Sequence, residues 1–356
     1  MERIGSVISK ISLAKGFEIS RIIKGGWQLS SGHRGHLEAD PVQDMMAFAE
    51  AGITTFDCAD IYTGVEELIG KFLREWKRQK SEITPVRVLT KFVPDADVLG
   101  TLDKNYVSRI IERSLKRLGV ERLDMVQFSW WDYHVDRYVE TAGYLCDLQK
   151  EGKIELISAT NFNTEATAKL LNAGVPLKTI QLQYSLLDSR PEKALSALCI
   201  KNDIKLLCYG TVAGGFISNK WLGKPEPKDT FENRSLIKYK LMIDETGGWE
   251  KFQNLLETLS DIAKKYNVSI TNVAGKYILS RPATGSLIIG AATANHLKEN
   301  LQTFQFNLDE VDIQQIESAK EALTTPEGDV WDLERVKEGP HGRIMRYNLN
   351  AQATDN

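Results

Sequence analysis

The sequence is poor in the features that tie a chain to export, membranes or nucleic acid. Of its 356 residues only four are cysteine (Cys58, Cys146, Cys199 and Cys208). None pairs as C-x-x-C and each sits in an apolar run, so they read as small buried thiols rather than a disulfide framework or a metal site. No apolar stretch approaches the roughly 18 residues that span a bilayer. The opening MERIGSVISK lacks the apolar core of a signal peptide. A cytoplasmic location without a membrane partner is therefore expected. The formal net charge is −3 with no long run of Lys or Arg, which speaks against a nucleic-acid partner. Among five histidines, His33 and His36 form H-x-x-H without further ligands nearby, so no metal is expected. A G-x-G-x-x-G after the first strand is also missing, against a Rossmann dehydrogenase.

What is present is a repeated alternation. Short apolar runs rich in β-branched residues predict strands at 21–25, 54–59, 86–92, 123–130, 155–161, 179–184, 205–209 and 286–290. Segments of helical periodicity lie between or after them, at 41–51, 66–78, 104–118, 139–151, 164–173, 192–201, 249–266 and 295–301. Eight strands alternating with eight helices imply a parallel sheet with right-handed crossovers. The strands are apolar on both faces, as in a sheet covered by helices, and the count of eight favours closure. The expected fold is an α/β, (β/α)8 TIM barrel forming a single domain over 1–356. Asp40 before Pro41, and Asn163 before Thr164, are candidate helix N-caps. Gly119 and Gly174 suit left-handed helix ends. Residues 6–19 alternate around a Lys-Gly turn and predict an N-terminal hairpin at the barrel bottom. Residues 211–248 read as an extended loop at the C-terminal face, and about 324–356 as a polar tail. Long loops in a compact domain are more often functional than idle.

In such barrels the active site is built at the C-terminal ends of the strands. Those ends bring Asp57, Tyr62, Lys91 and Ser129 to one rim. A phenol with a free pKa of about 10 is a poor acid at neutral pH, and an adjacent ammonium lowers that value. Lys91 supplies such a charge and Asp57 can orient it, leaving Tyr62 to protonate an oxygen on which negative charge develops. The bland alternative is a buried salt bridge with a packed tyrosine.

The run GITTFDCADIYTGVEELIGKFL (52–73) resembles the aldo-keto reductase signature, in which an Asp and a Tyr five residues apart serve catalysis. VLTKF (88–92), ISATNF (157–162), TIQLQY (179–184), CYGTVAGGF (208–216) and LIIGAATANHLKENL (287–301) resemble further segments of that family in order. The resemblance implies an NAD(P)-dependent oxidoreductase. Asp57, Tyr62 and Lys91 match three of its four catalytic positions. Thr160, Asn161 and Gln181 match carboxamide-binding positions, and Tyr209 the aromatic that stacks on nicotinamide. Gly210, Val212 and Gly214 match the pyrophosphate segment; Gly25, Gly26 and Trp27 match the turn beside the ribose. Gly290, His296, Glu299 and Asn300 fall at the adenosine end.

Two departures stand out. Where the family usually carries a catalytic His, in a pattern like L-D-x-x-x-x-H, LDMVQFSWW places Ser129. A serine is shorter and never charged, so it orients a substrate oxygen weakly or through water. At the adenosine end, Gly290, Ala292 and His296 stand where cations usually grip a 2′-phosphate. NADP(H) is the expected cofactor, with NAD(H) a near-equal alternative. The expected substrate is a small apolar or aromatic carbonyl or related unsaturated compound, lined by Trp27, Trp130 and His33. Two other functions compete: a nicotinamide-nucleotide-binding regulatory subunit with vestigial catalysis, and a barrel hydrolase using Asp57 and Asp60. No oligomeric state is assigned.

Overall fold

The computed structural model describes residues 8–30, 40–79, 85–228, 231 and 233–350. A hairpin opens the chain, with β1 (Lys10–Ala14) antiparallel to β2 (Phe17–Ser20). Its turn uses Gly16 at φ 76°, a conformation least costly for glycine. Eight parallel strands then close a barrel: β3 (Ile22–Gly25), β4 (Thr55–Asp57), β5 (Arg87–Phe92), β6 (Leu123–Phe128), β7 (Ile154–Thr160), β8 (Leu177–Gln183), β9 (Lys205–Tyr209) and β10 (Thr284–Gly290). Closure is made by β10 pairing β3, with Gly290 opposite Gly25.

The hairpin is a plug. Phe17 and Ile19 of β2 join Ile23, Leu89, Met125, Leu156, Leu207 and Ile288 in a separate core inside the barrel. Arg87, at the start of β5, lies 4.2 Å over the Phe17 ring. Fully burying one such side chain contributes about 1.5–3 kcal/mol, so the plug stabilises the end of the barrel opposite the site.

The helices between strands are α1 (Pro41–Glu50), α2 (Val65–Gln79), α3 (Lys104–Leu118), α4 (Tyr138–Lys150), α5 (Thr164–Asn172) and α6 (Leu195–Lys201). The expected caps are in place. The Asp40 side chain accepts from Val42 N at 2.9 Å, and that of Asn163 from Ala166 N at 3.0 Å. Gly119 ends α3 at φ 68°. The stretch 211–248 is not all loop, because Asn233 caps α7 (Arg234–Glu245) within it. Two helices without a sequence expectation follow α8 (Gly248–Tyr266): α9 (Ile270–Ser280), opened by a Ser269/Asn272 capping box, and α11 (Glu310–Glu321). Between these two, α10 (Leu297–Gln302) is shorter than the expected 295–301 helix and begins after a 3-10 turn.

The polar tail forms a roof across the C-terminal rim. Buried Arg190 pairs with Asp188 at 2.7 Å and reaches Glu334 in α12 (Asp332–Arg335) at 3.4 Å. Arg335 donates to Asn161 O at 2.6 Å and to Tyr133 Oη at 2.7 Å. Past α13 (Pro340–Arg343), Tyr347 O accepts from Ala96 N at 2.9 Å. Asn350 is the far anchor: its Nδ2 donates to Asp60 Oδ2 at 3.0 Å and to Val93 O at 2.6 Å, and its backbone N to Asp95 Oδ1 at 2.8 Å.

Burial pushes the Asp60 carboxyl up to about 7, against the lowering effect of the Asn350 hydrogen bond; Glu66 beside it adds to the rise. Its Oδ1 has no partner among the described residues. The unfolded value is about 3.9, so the fold favours the protonated form. The stabilisation is complete below about pH 4 and is lost as pH rises through about 7. Asp60→Asn cannot ionise. Its melting temperature should fall less than that of the wild type between pH 5 and pH 8, and be the higher of the two at pH 8. Parallel melting curves would remove Asp60 from this account.

Candidate active site

The site begins with a close approach. Gly26 follows β3, and a Cβ there would stand 2.6 Å from Asp57 O and 2.8 Å from Val65 Cγ1. A side chain would push the first turn away from β4. With the turn seated, Asp57 ends β4, buried opposite Gly25 and Leu89.

The Asp57 carboxylate gathers donors from three other strands. Lys91 Nζ of β5 donates to Oδ1 at 2.8 Å and to Oδ2 at 2.7 Å, and also to Cys58 O at 2.8 Å. Gln127 Nε2 of β6 reaches Oδ1 at 2.9 Å, and Gln181 Nε2 of β8 at 2.6 Å. Gln181 also donates to Gln127 Oε1 at 2.8 Å. A buried charge is tolerated when paired and hydrogen-bonded, and this one is both. Lys91 lies 5.1 Å from the Tyr62 ring centroid, and Tyr62 packs on Trp27 with centroids 5.1 Å apart.

Electrostatics here differ from the expectation in one respect. Burial pushes Lys91 down, but Asp57 and Tyr62 outweigh it and the ammonium ends above its ordinary value. For Tyr62, burial is the larger effect and raises the phenol; the Lys91 charge opposes this without overcoming it. The ammonium therefore moderates a raised value instead of producing a lowered one. The phenol stays protonated at neutral pH.

These groups open into a cavity of about 1160 Å³. Its wall includes Asp57, Tyr62, Lys91 and Ser129, and also Gly25, Trp27, Thr160, Asn161, Gln181 and Tyr209. Gly210, Val212, Gly214, Gly290, His296, Glu299 and Asn300 line the same space. Gly26 does not line it; it acts through the close approach above. His33 lies outside the described residues. Trp130 requires a correction. It is fully buried beside Phe128 and Tyr138, donating to Asp132 O and Val135 O, while Trp131 lines the cavity. Inward positions on and after β6 are 127, 129 and 131, so Trp130 points into the wall. Ser129 is buried, with its backbone N donating to Phe92 O at 3.0 Å. The only histidine among the described lining residues is His296, 3.2 Å from Glu299 Oε2.

Several contributors carried no expectation. Gln127 sits two residues before Ser129, on the same face of β6, and that spacing was the available signal. Trp331 of the tail donates its Nε1 to Tyr209 Oη at 2.8 Å, and Tyr209 Oη donates to Asn161 Oδ1 at 2.8 Å. Lys238 of α7 lies 5.4 Å from the rings of both Tyr209 and Trp331. No sequence pattern links residues so far apart.

Two further features shape the cavity wall. Gly210 (φ 73°) and Gly214 (φ 64°) hold left-handed turns, and Tyr239 packs where side chains at either position would stand. Gln28, beside Gly290 on the wall, has a buried Oε1 with no partner among the described residues. No group of three or more metal-ligating residues occurs among the described residues, and no helix among them is long and apolar enough to cross a membrane.

Comparison with known proteins agrees with this architecture. The chain is 28% identical over 323 residues to a probable aldo-keto reductase of Glycine max, covering 89% of this chain and 88% of that protein. It is 25% identical over 320 residues to the NADH-specific methylglyoxal reductase of Escherichia coli, covering 86% and 96%. The glycerol dehydrogenase of Gluconobacter oxydans shares the fold, with a TM-score of 0.73 at 22% identity over 91% of this chain and 98% of that one. The profile of the aldo/keto reductase family matches residues 21–321, and the chain belongs to that family of NAD(P)H-dependent carbonyl reductases.

Proposed function

We propose that Tyr62 donates the proton in reduction of a small-molecule carbonyl, with Lys91 and Asp57 as its charged support and Ser129 as the fourth member of the site. The observation that carries this reading is the convergence of phenol, ammonium and carboxylate on one cavity. A bound nicotinamide dinucleotide supplies the hydride. The raised phenol keeps its proton until an oxyanion develops, and the Lys91 charge stabilises the phenolate left behind. Asn161 and Gln181 would hold the carboxamide, with Thr160 beside them. Gln181 commits its amide N–H to Asp57 and Gln127, which leaves its carbonyl oxygen to accept from the carboxamide. Tyr209, fixed between Trp331 and Asn161, offers its ring for stacking. Gly25 and Trp27 would lie beside the ribose, and Gly210, Val212 and Gly214 would frame the pyrophosphate. Gly290, His296, Glu299 and Asn300 would receive the adenosine.

Among the described lining residues of 290–300 there is no Arg or Lys, so no permanent cation of that segment grips a 2′-phosphate. We read the site as accepting NADP(H) or NAD(H). Trp27, Trp131, Trp331 and Met345 line the cavity and suit an apolar or aromatic substrate. A cytoplasmic setting fits the free cysteines among the described residues.

Absorbance at the reduced-nicotinamide band, with NADPH or NADH and an aromatic aldehyde, tests the reading. Tyr62→Phe should lower turnover by about a hundredfold or more. Ser129→His should raise it on simple aldehydes by about tenfold, the value of one added charge-assisted hydrogen bond in the transition state. Nucleotide binding without turnover of any carbonyl would instead favour the regulatory reading.

A further inference from the structure

Two arginines meet at the roof of the cavity. Arg234 opens α7 and Arg346 comes from the tail, and both line the same space. Arg234 Nη2 donates to Ile344 O at 2.6 Å, which sets its guanidinium two residues from Arg346. The charged group that acts on Arg234 is Arg346, itself a cation. Burial first and this repulsion second hold Arg234 below its ordinary value. No ion pair within 4.0 Å joins either arginine to a carboxylate among the described residues.

Neighbouring cations are treated differently. Lys91 is paired with Asp57, Arg190 with Asp188 and Glu334, and Lys238 with Glu334 at 3.6 Å. The lining carboxylates are spoken for as well: Asp57 by Lys91, and Glu299 by Thr271 and His296. Two guanidinium groups that line one cavity without a counter-ion repel one another, and an anion between them converts that repulsion into attraction on both sides. Each guanidinium presents a planar fork that matches phosphate or carboxylate. The location fits such a ligand, because Ser235 O, next to Arg234, lies 3.2 Å from where a Cβ on Gly214 would stand. The start of α7, which carries Arg234, thus flanks the left-handed glycine turn on the cavity wall.

We propose that Arg234 and Arg346 form an oxyanion clamp, closing α7 and the tail over a phosphate or carboxylate that enters the cavity. The anion has two sources: a phosphate of the dinucleotide, or an acidic group on the carbonyl substrate. Both rest on the reductase reading above, but the clamp itself is testable without it. A bound anion would also hold the tail against α7, so ligand binding and tail docking reinforce each other.

The test uses the full chain as wild type, Arg346→Ala and Arg234→Gln, the last retaining a donor for Ile344 O. Arg343→Ala, an exposed neighbour outside the cavity lining, serves as control. Calorimetry gives Kd for NADPH, NADH and inorganic pyrophosphate; kinetics compare 4-carboxybenzaldehyde with its methyl ester. If the clamp holds the dinucleotide, Kd rises about tenfold or more in both variants, as expected for a charge-assisted contact. The KM ratio of the two aldehydes then stays constant. If it holds the substrate, dinucleotide Kd stays within about twofold and KM for the carboxylated aldehyde alone rises about tenfold or more. Wild type that binds dinucleotide and turns over both aldehydes, with neither quantity moved in the variants, overturns the clamp. If wild type binds no dinucleotide, the reductase reading fails and pyrophosphate decides the clamp. Binding that both variants lose upholds it, and no binding overturns it.

Discussion

A carboxylate buried inside a barrel needs partners on every side, and the arrangement around Asp57 follows from that need. One oxygen accepts from Lys91, Gln127 and Gln181, and the other from Lys91 again. The donors come from β5, β6 and β8, so the cluster exists only when the barrel is closed in register, with Lys91 opposite Gln127 and Thr160 opposite Gln181. Breaking one partner of such a group typically costs about 3–5 kcal/mol, because an uncompensated charge remains. The same bonds keep Lys91 charged beside Tyr62. The surroundings of the Tyr62 phenol are thus set by a network spread over four strands.

Above this fixed floor the roof is built from distant sequence. Trp331 orders Tyr209, Arg335 ties the tail to Asn161, and Asn350 ends the span on Asp60. Each contact joins the tail to the C-terminal end of a barrel strand or the segment just after it, where function in this architecture resides. Ser129 and the aromatic walls contributed by Trp131 and Trp331 line a cavity that has the Lys91–Asp57 pair at its floor beside Tyr62 and Arg234 and Arg346 at its roof. Substrate choice is therefore expected to depend on the tail as much as on the barrel.

The eight strands were legible because buried parallel strands are short continuous apolar runs, and each observed strand falls largely within its expected range. The hairpin plug was legible from its turn. Helix α9 carried no expectation although Ile270, Val273, Ala274, Tyr277 and Ile278 are buried on one side at helical spacing; Asn272, Gly275 and Leu279, buried on the other side, blur that period. The tail was read as polar because its contacts are hydrogen bonds and ion pairs made over long sequence separations. Trp130 and Trp131 show how strictly alternation applies, since one step along the chain exchanges cavity for wall. The Tyr62 phenol shows a different limit. Reasoning from one neighbouring charge gives its downward pull, whereas burial, visible only in three dimensions, decides the sign.

The most direct test of the Asp57 network follows Lys91 itself. The Lys91 ε-carbon signal, recorded by NMR on protein labelled at lysine and assigned with Lys91→Met, can be titrated in wild type and in Asp57→Asn. With Asp57 present the ammonium should stay charged beyond the pH at which ordinary lysines titrate. Without it, burial acts unopposed by the carboxylate and the titration should move down by more than one unit, a change of about 1.4 kcal/mol or more. Identical titrations in the two proteins would contradict the claim that Asp57 holds the charge on which the site depends.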